Sequence, residues 1–437
     1  MNKKEAPKGL LFYGVAGRQI VLSLDTMKPR VLMLPKWYPN RYDDQDGDFV
    51  ARHVAAIAPH ADVAVVFATV ASGPLSAWTE CEEDVDGAVP VLRYYYRARP
   101  SGLLIVDKVL KLLLYYWCLG QGYKQVVQRW GAKPDLVHVH VLLRTGLAAL
   151  WWRWRYGLPY LITEHWTLYL PFRSHTIGWL RRQLTRVVVG HAAALHTVSK
   201  ALRGAMWNLG FRNDTSVVIA NVVDTNLFYP PDAPRVPQTL LHVAAFHENV
   251  KNLTGILRVV SGLRSTWPDL RLRLAGYGPD EVRVRHLAQD LGLIADGTVT
   301  FLGKLPHAAV AAEMQHATAL VSFSRAETFG CVLLEARACA CPVVATHTGG
   351  VAELFEPVSR FGLLVAPDDE VALAAALTAV LTGSASFEPA QLSSDAELRC
   401  SPARVGSQFA ALYTNILRPA GGQNSVQPSP HSVLVSC

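Results

Sequence analysis

The chain has 437 residues, half of them hydrophobic and 18% charged, with a formal net charge of +7. This length exceeds one ordinary core, so two domains are expected, and the apolar content excludes a disordered chain. The seven cysteines are odd in number, sparse and scattered, which excludes a disulfide scaffold and points to a reducing compartment.

In chain order, Met1-Asn2-Lys3-Lys4 precedes a mildly apolar stretch broken by Arg18. It makes a poor secretory leader without a small-residue cleavage site, so residues 1–27 read as an appendage of uncertain status. Val31–Leu34 is the first buried strand, followed by apolar strand runs at Val63–Phe67, Leu136–Val141 and Tyr160–Thr163 with helical segments between them. Such alternation predicts a parallel sheet covered on both faces. After Val217–Val222, the prolines at 230, 231, 234 and 237 can continue neither a helix nor a central strand, and they mark the domain boundary.

A second series follows: strands at Leu240–Ala244, Leu270–Ala275, Val299–Leu302, Leu320–Phe323 and Val343–Ala345, with helices at Leu253–Leu263 and Val332–Ala340. The reading is two doubly wound α/β domains, 28–225 and 226–402. A last helix near 403–417 crosses back to the first domain, and a disordered tail covers 418–437.

Charge is unevenly divided. Residues 1–220 hold 27 Lys and Arg against 16 Asp and Glu, and the remainder 15 against 19. The first half should attract an anion, either a membrane surface or a phosphate-bearing substrate. Nucleic acid is set aside, because no finger, basic zipper or aromatic-rich sheet motif is present. Leu103–Leu119 is too short and too charged to span a bilayer; it reads either as an interfacial helix with Lys108 and Lys111 toward headgroups or as a core helix. The aromatic and basic run Trp151–Tyr156 carries the same two readings.

The sharpest motif runs from Ser324 to Ala336, ending a strand, turning at Gly330 and entering a helix. Glu327 on the loop and Glu335 in the helix frame a turn whose free backbone N–H groups suit phosphate oxygens. An elongated ligand such as a sugar nucleotide fits that layout. A second turn, Gly349-Gly350, follows the strand Val343–Ala345, and both turns lie where open α/β sheets bind ligands. No metal-ligating set is assigned: Cys339 and Cys341 lack partners for a zinc site, and His138 and His140 read as structural.

This stretch resembles the donor-site signature of the retaining family 4 glycosyltransferases, which have the GT-B architecture of two facing Rossmann-like domains and a deep interdomain cleft. Weaker landmarks arrive in the family's order: the loop from Pro35 to His53, Thr163 to Trp166, Thr197 to Lys200, Asn221 to Phe228, and Gly276 to Pro279. The resemblance implies that Glu327 holds donor-sugar hydroxyls and Glu335 the ribose. Thr328, Phe329, Gly330, Val332 and Leu333 would lie against the sugar and phosphates, Gly47 and Gly276 would line the donor loops, and Lys251 would clamp the diphosphate. His165 would act on the acceptor side near the reacting sugar.

One departure stands out. Where the family carries an arginine five residues before the lysine, this chain has Phe246, and His247, Arg325 or Arg271 are the candidates to compensate.

The implied activity is retaining, metal-independent transfer of a sugar from a UDP- or GDP-sugar to a glycan or lipid-linked acceptor. Its expected place is the cytoplasm, peripherally on the inner face of the cell membrane, in surface polysaccharide or glycolipid synthesis. Alternatives are a sugar-nucleotide epimerase or hydrolase on the same fold, or a non-catalytic partner subunit.

Overall fold

The computed structural model describes residues 10–15, 18–23, 28–99, 101–356 and 360–418. Most of the tail read as disordered, from residue 419 on, lies outside these. Leu10–Val15 and Arg18–Ser23 pair as an antiparallel hairpin within the segment read as an appendage.

The first domain is built on an eight-stranded sheet. Its order is Ser216–Val218, Ala194–Thr197, Tyr160–Glu164, Leu136–His140, Arg30–Pro35, Asp62–Val70, Val89–Tyr96 and Thr79–Asp86. All pairings are parallel except the last, where Thr79–Asp86 runs antiparallel to Val89–Tyr96. The wholly parallel sheet expected from the sequence is corrected here. Thr79–Asp86 is an acidic, mostly exposed edge strand without the apolar run that marks its neighbours, so it carried no strand signal. The central strands are apolar throughout because helices cover both faces, and Val31 to Leu34 are fully buried.

The second domain has six parallel strands, ordered Val299–Gly303, Arg271–Ala275, Thr239–Val243, Ala319–Ser322, Val343–Thr346 and Leu363–Val365. The helix Pro402–Leu417 returns to the first domain, where Phe409, Leu412 and Tyr413 join the core formed with the helix Asp48–Ile57. Gly406 lies so close to Ala56 that a Cβ would stand 2.1 Å from its carbonyl oxygen.

Leu103–Leu119 proves to be the start of a 27-residue helix, Leu104–Trp130. Only part of it is core. Tyr115, Cys118, Leu119, Tyr123 and Val126 are buried, whereas Leu104, Ile105, Val109, Leu113 and Trp117 are half or more exposed. No helix among the described residues is long and apolar enough to cross a membrane.

Candidate active site between the two domains

The site lies where the carboxyl ends of both sheets meet. On the second domain, Ala319–Ser322 gives way to a loop that carries Glu327, and Gly330 opens the helix Cys331–Ala338 in a left-handed conformation, φ 93°. A side chain there would be strained, which is why the turn is a glycine. The loop is braced from below, since Gly350 N–H donates to the Glu327 carbonyl at 3.1 Å. Lys251 ends the short helix Glu248–Lys251, and its Nζ lies 2.6 Å from Glu327 Oε2.

On the first domain, His165 directly follows the strand Tyr160–Glu164. His165, Lys251, Glu327, Thr328, Phe329, Gly330 and Val332 line one cavity of about 450 Å³, together with Trp37, Trp166 and Asn221. An adjoining cavity of about 290 Å³ shares Asp48, Ala244, Ala245, Cys331 and Val332 with it and adds Arg52, Gly276, His307 and Glu335. The two carboxylates thus flank opposite parts of one elongated cleft. Gly276 belongs there of necessity: at φ 136°, a Cβ would lie 1.8 Å from the Ala244 carbonyl oxygen.

Two expected residues are not among those that line the two cavities. Leu333 is 1% exposed and packs in the core, so its side chain is removed from the ligand position expected of it. Its N–H is also consumed by the Gly330 carbonyl at 3.0 Å. Gly47 caps the helix Asp48–Ile57 with φ 65°, and the space a side chain would take is filled by Trp37 backbone, 2.4 Å from a built Cβ. Loop packing accounts for that glycine.

None of the candidates for the missing arginine lines either of these two cavities. Phe246 is fully buried and meets Phe301 edge-on at 6.3 Å, so its position faces the hydrophobic core. Arg325 is held by Asp368 at 2.7 Å and the Glu248 carbonyl at 2.9 Å. Arg271 binds the carbonyls of Pro268 and Leu270 at the far end of its strand, and His247 opens onto a separate cavity.

An arginine does reach the cleft, but from the opposite domain. Arg52 Nη1 lies 2.6 Å from Glu335 Oε1, and Arg52 Nη2 lies 2.6 Å from Asp48 Oδ2. Burial works against the charge on Arg52, but Glu335 and Asp48 outweigh it and raise its pKa. Further clasps join the domains around it. His307 Nε2 meets Asp48 Oδ2 at 3.0 Å, Lys304 and Tyr277 both reach Asp43, and Ser199 Oγ donates to the Thr328 carbonyl at 2.7 Å. Sequence reasoning missed Arg52, Asp48 and His307, since nothing local marks a residue whose partner lies 283 positions away.

His165 is 7% exposed and packs on Phe49 with ring centroids 4.6 Å apart. Burial, reinforced by neighbouring histidines, lowers its pKa well below the ordinary range, so the imidazole is neutral at pH 7. Lys36 lies over the ring of Trp166, 3.5 Å from its centroid, and burial lowers its pKa to about 8.

Two Rossmann-like domains facing each other across such a cleft define the GT-B class of protein. Both halves match glycosyltransferase families: residues 48–222 match "Glycosyl transferase 4-like domain", and residues 237–383 match "Glycosyl transferases group 1". With both domains matched, the chain belongs among the GT-B glycosyltransferases.

Among its relatives is the glycogen synthase of Mycobacterium tuberculosis, 28% identical over 73% of this chain and 79% of that protein. The alpha-maltose-1-phosphate synthase of Mycolicibacterium smegmatis is 28% identical over 53% of this chain and 64% of its own length, just under two thirds. Among solved structures, HepE of Anabaena in complex with UDP and glucose superimposes with a TM-score of 0.65 at 17% identity, covering 89% of this chain and 99% of that one.

Proposed function

We propose that this chain transfers a sugar, with retention of anomeric configuration, from a UDP- or GDP-sugar to a glycan or lipid-linked acceptor. The observation that carries the reading is the composite cleft: Glu327 and Lys251 at one part, Glu335 and Arg52 at the other, with the start of the helix Cys331–Ala338 between them. The diphosphate sits over the amides of Cys331 and Val332, the first two of that helix. Glu327 holds the sugar hydroxyls and Glu335 the ribose. On donor binding the Arg52–Glu335 pair opens, Glu335 turns to the ribose, and Arg52 takes the phosphate role that Phe246 cannot fill.

As the bond between the anomeric carbon and the phosphate oxygen breaks, charge grows on the departing diphosphate. Lys251 and Arg52 stabilise it more at that stage than in the ground state. The sugar acquires oxocarbenium character, and the acceptor hydroxyl adds on the face the diphosphate leaves, passing its proton to a phosphate oxygen. His165, which lines the cleft, positions the reacting sugar. No metal step is required of these residues. That HepE is seen with UDP and glucose supports the donor class.

The acceptor side is proposed to work at an anionic membrane surface. Leu104, Ile105, Leu113, Trp117, Trp151, Trp154 and Trp179 are each at least half exposed on three neighbouring helices, with Lys108, Arg155 and other cations beside them. Between the first two helices lies an apolar groove of about 540 Å³, lined by Leu119, Tyr123, Leu147, Trp151 and Trp152, wide enough for an acyl or polyprenyl chain. This arrangement suits a cytoplasmic, peripheral enzyme of glycolipid or surface-glycan synthesis.

The test is incubation of the purified chain with a panel of UDP- and GDP-sugars, with and without lipid and glycan acceptors, and NMR of the products. Transfer with retained configuration is the expected outcome. Conversion of the donor without any acceptor would instead identify an epimerase or hydrolase.

A further inference from the structure

Among the described residues, one group of three side chains brings metal-ligating atoms together. His53, His140 and His165 each place a ring nitrogen within 4.8 Å of the others. They converge from three elements, the helix Asp48–Ile57, the last residue of the strand Leu136–His140, and the position just after the strand Tyr160–Glu164. His53 and His140 are fully buried and His165 is 7% exposed.

What distinguishes the triad is its lack of partners. Two further histidines pack alongside, and both of their nitrogens are satisfied. His138 meets the Tyr413 hydroxyl at 2.8 Å and Thr163 Oγ1 at 2.6 Å, while His196 meets Thr163 Oγ1 at 2.9 Å and the Ile219 carbonyl at 2.9 Å. In His140 neither ring nitrogen has a hydrogen bond, while His53 faces only the Ala220 backbone and His165 only the Asn221 side chain, in contacts short of full hydrogen-bond geometry. Buried polar atoms of native proteins are almost always partnered, so a cluster this poorly satisfied needs an occupant.

We propose that His53, His140 and His165 form a binding site for a borderline transition-metal dication of the zinc type. Three imidazoles with no carboxylate among the ligand atoms favour zinc, cobalt, nickel or copper over magnesium and calcium, which take oxygen ligands.

Tetrahedral zinc–nitrogen bonds of about 2.0–2.1 Å place ligand nitrogens about 3.4 Å apart, so the rings must close by no more than about 1.5 Å. His165, just past a strand end, is the one of the three not held in a helix or strand. Asn221 lines the same cavity as His165 and its side chain lies within reach of that ring, which makes its Oδ1 the candidate fourth ligand. Its amide nitrogen donates to Cys331 Sγ at 3.2 Å.

The test uses the full chain, stripped with a chelator, exchanged into chelator-free buffer, and titrated with Zn²⁺ by calorimetry and with Co²⁺ by visible absorption. One equivalent of each metal is expected, with the intense d–d bands of a four- or five-coordinate cobalt. His140→Gln should weaken binding at least about 100-fold and abolish the bands, and an exposed control, His286→Gln, should leave both unchanged. Because His140 is buried, His165→Ala at the cleft edge serves as a second variant, with circular dichroism confirming that both are folded. No stoichiometric binding by the wild type, or unchanged binding by both folded variants, would mean that the orphaned nitrogens are met by water alone and would overturn the proposal. Neither readout depends on donor binding or transfer.

Discussion

Arg52 reaches across the interdomain cleft and places its Nη1 2.6 Å from Oε1 of Glu335, the carboxylate assigned to the donor ribose. The pair is largely shielded, with side chains 18% and 7% exposed, so its hydrogen bond is charge-assisted in a poorly hydrated setting. Arg52→Ala should therefore lower kcat/KM by about 10- to 100-fold, corresponding to the ~1.5–3 kcal/mol of a hydrogen bond to a charged group. Arg52→Lys should recover part of it. Kinetics on variants shown to be folded would check this; unchanged kcat/KM in Arg52→Ala would remove Arg52 from the donor site.

Phe246 supplies the converse experiment. Installing the arginine expected at this position should not improve the enzyme, because the position faces the core of the second domain. Phe246→Arg should cost at least about 3 kcal/mol, through lost packing and a buried, unpaired charge. Denaturant unfolding measures it. A folded variant with tighter donor binding would show that the side chain can turn to the cleft.

Glu327 and Lys251 form the other end of the site, 2.6 Å apart. Glu327→Gln keeps the shape but removes the charge that holds the lysine and sugar in place. We expect a fall in kcat of about 100-fold or more, within the range found when a single electrostatic contact to a transition state is removed. Single-turnover measurements separate this from a change in donor affinity.

The clasp between His307 and Asp48 gives a pH dependence. The hydrogen bond to Asp48, against opposing burial, raises the His307 pKa above its ordinary value. A raised folded-state value means that the stabilisation is complete below about pH 6.5, the ordinary histidine value, and is lost as pH rises through the folded value. The Tm advantage of wild type over His307→Gln should accordingly be largest near pH 6 and shrink toward pH 9. A difference that grows with pH would contradict this.

The exposed apolar face predicts membrane attachment. Leu104→Asp combined with Leu113→Asp should abolish sedimentation with anionic vesicles while leaving transfer to a soluble acceptor unchanged, since both side chains project into solvent away from the cleft. Equal sedimentation of the variant would remove this face from the membrane.

What the sequence made legible was whatever local pattern controls. The turn at Gly330 with Glu327 before it and Glu335 behind could be placed because an apolar strand and a helix bracket it. Three things escaped. Thr79–Asp86 is stabilised by pairing with its neighbour and by solvation of an edge, which leaves no apolar alternation to read. Periodicity marked a helix over Leu103–Leu119, but only the packed structure reveals that it runs on to Trp130 and which of its apolar residues are left uncovered. Arg52 and the His53, His140 and His165 cluster are products of tertiary folding, assembled from separate elements of one domain or from opposite domains.

The central claim is that this cleft binds a nucleotide-sugar between Glu327 and Glu335. Calorimetric titration of the purified protein with UDP- and GDP-sugars, with Glu335→Ala alongside, tests it most directly. The account predicts that one donor class binds and that Glu335→Ala weakens it at least about tenfold, the ~1.4 kcal/mol expected for a lost hydrogen bond to a charged group. Binding of no donor by the folded wild-type chain, or equal binding by the variant, would contradict it.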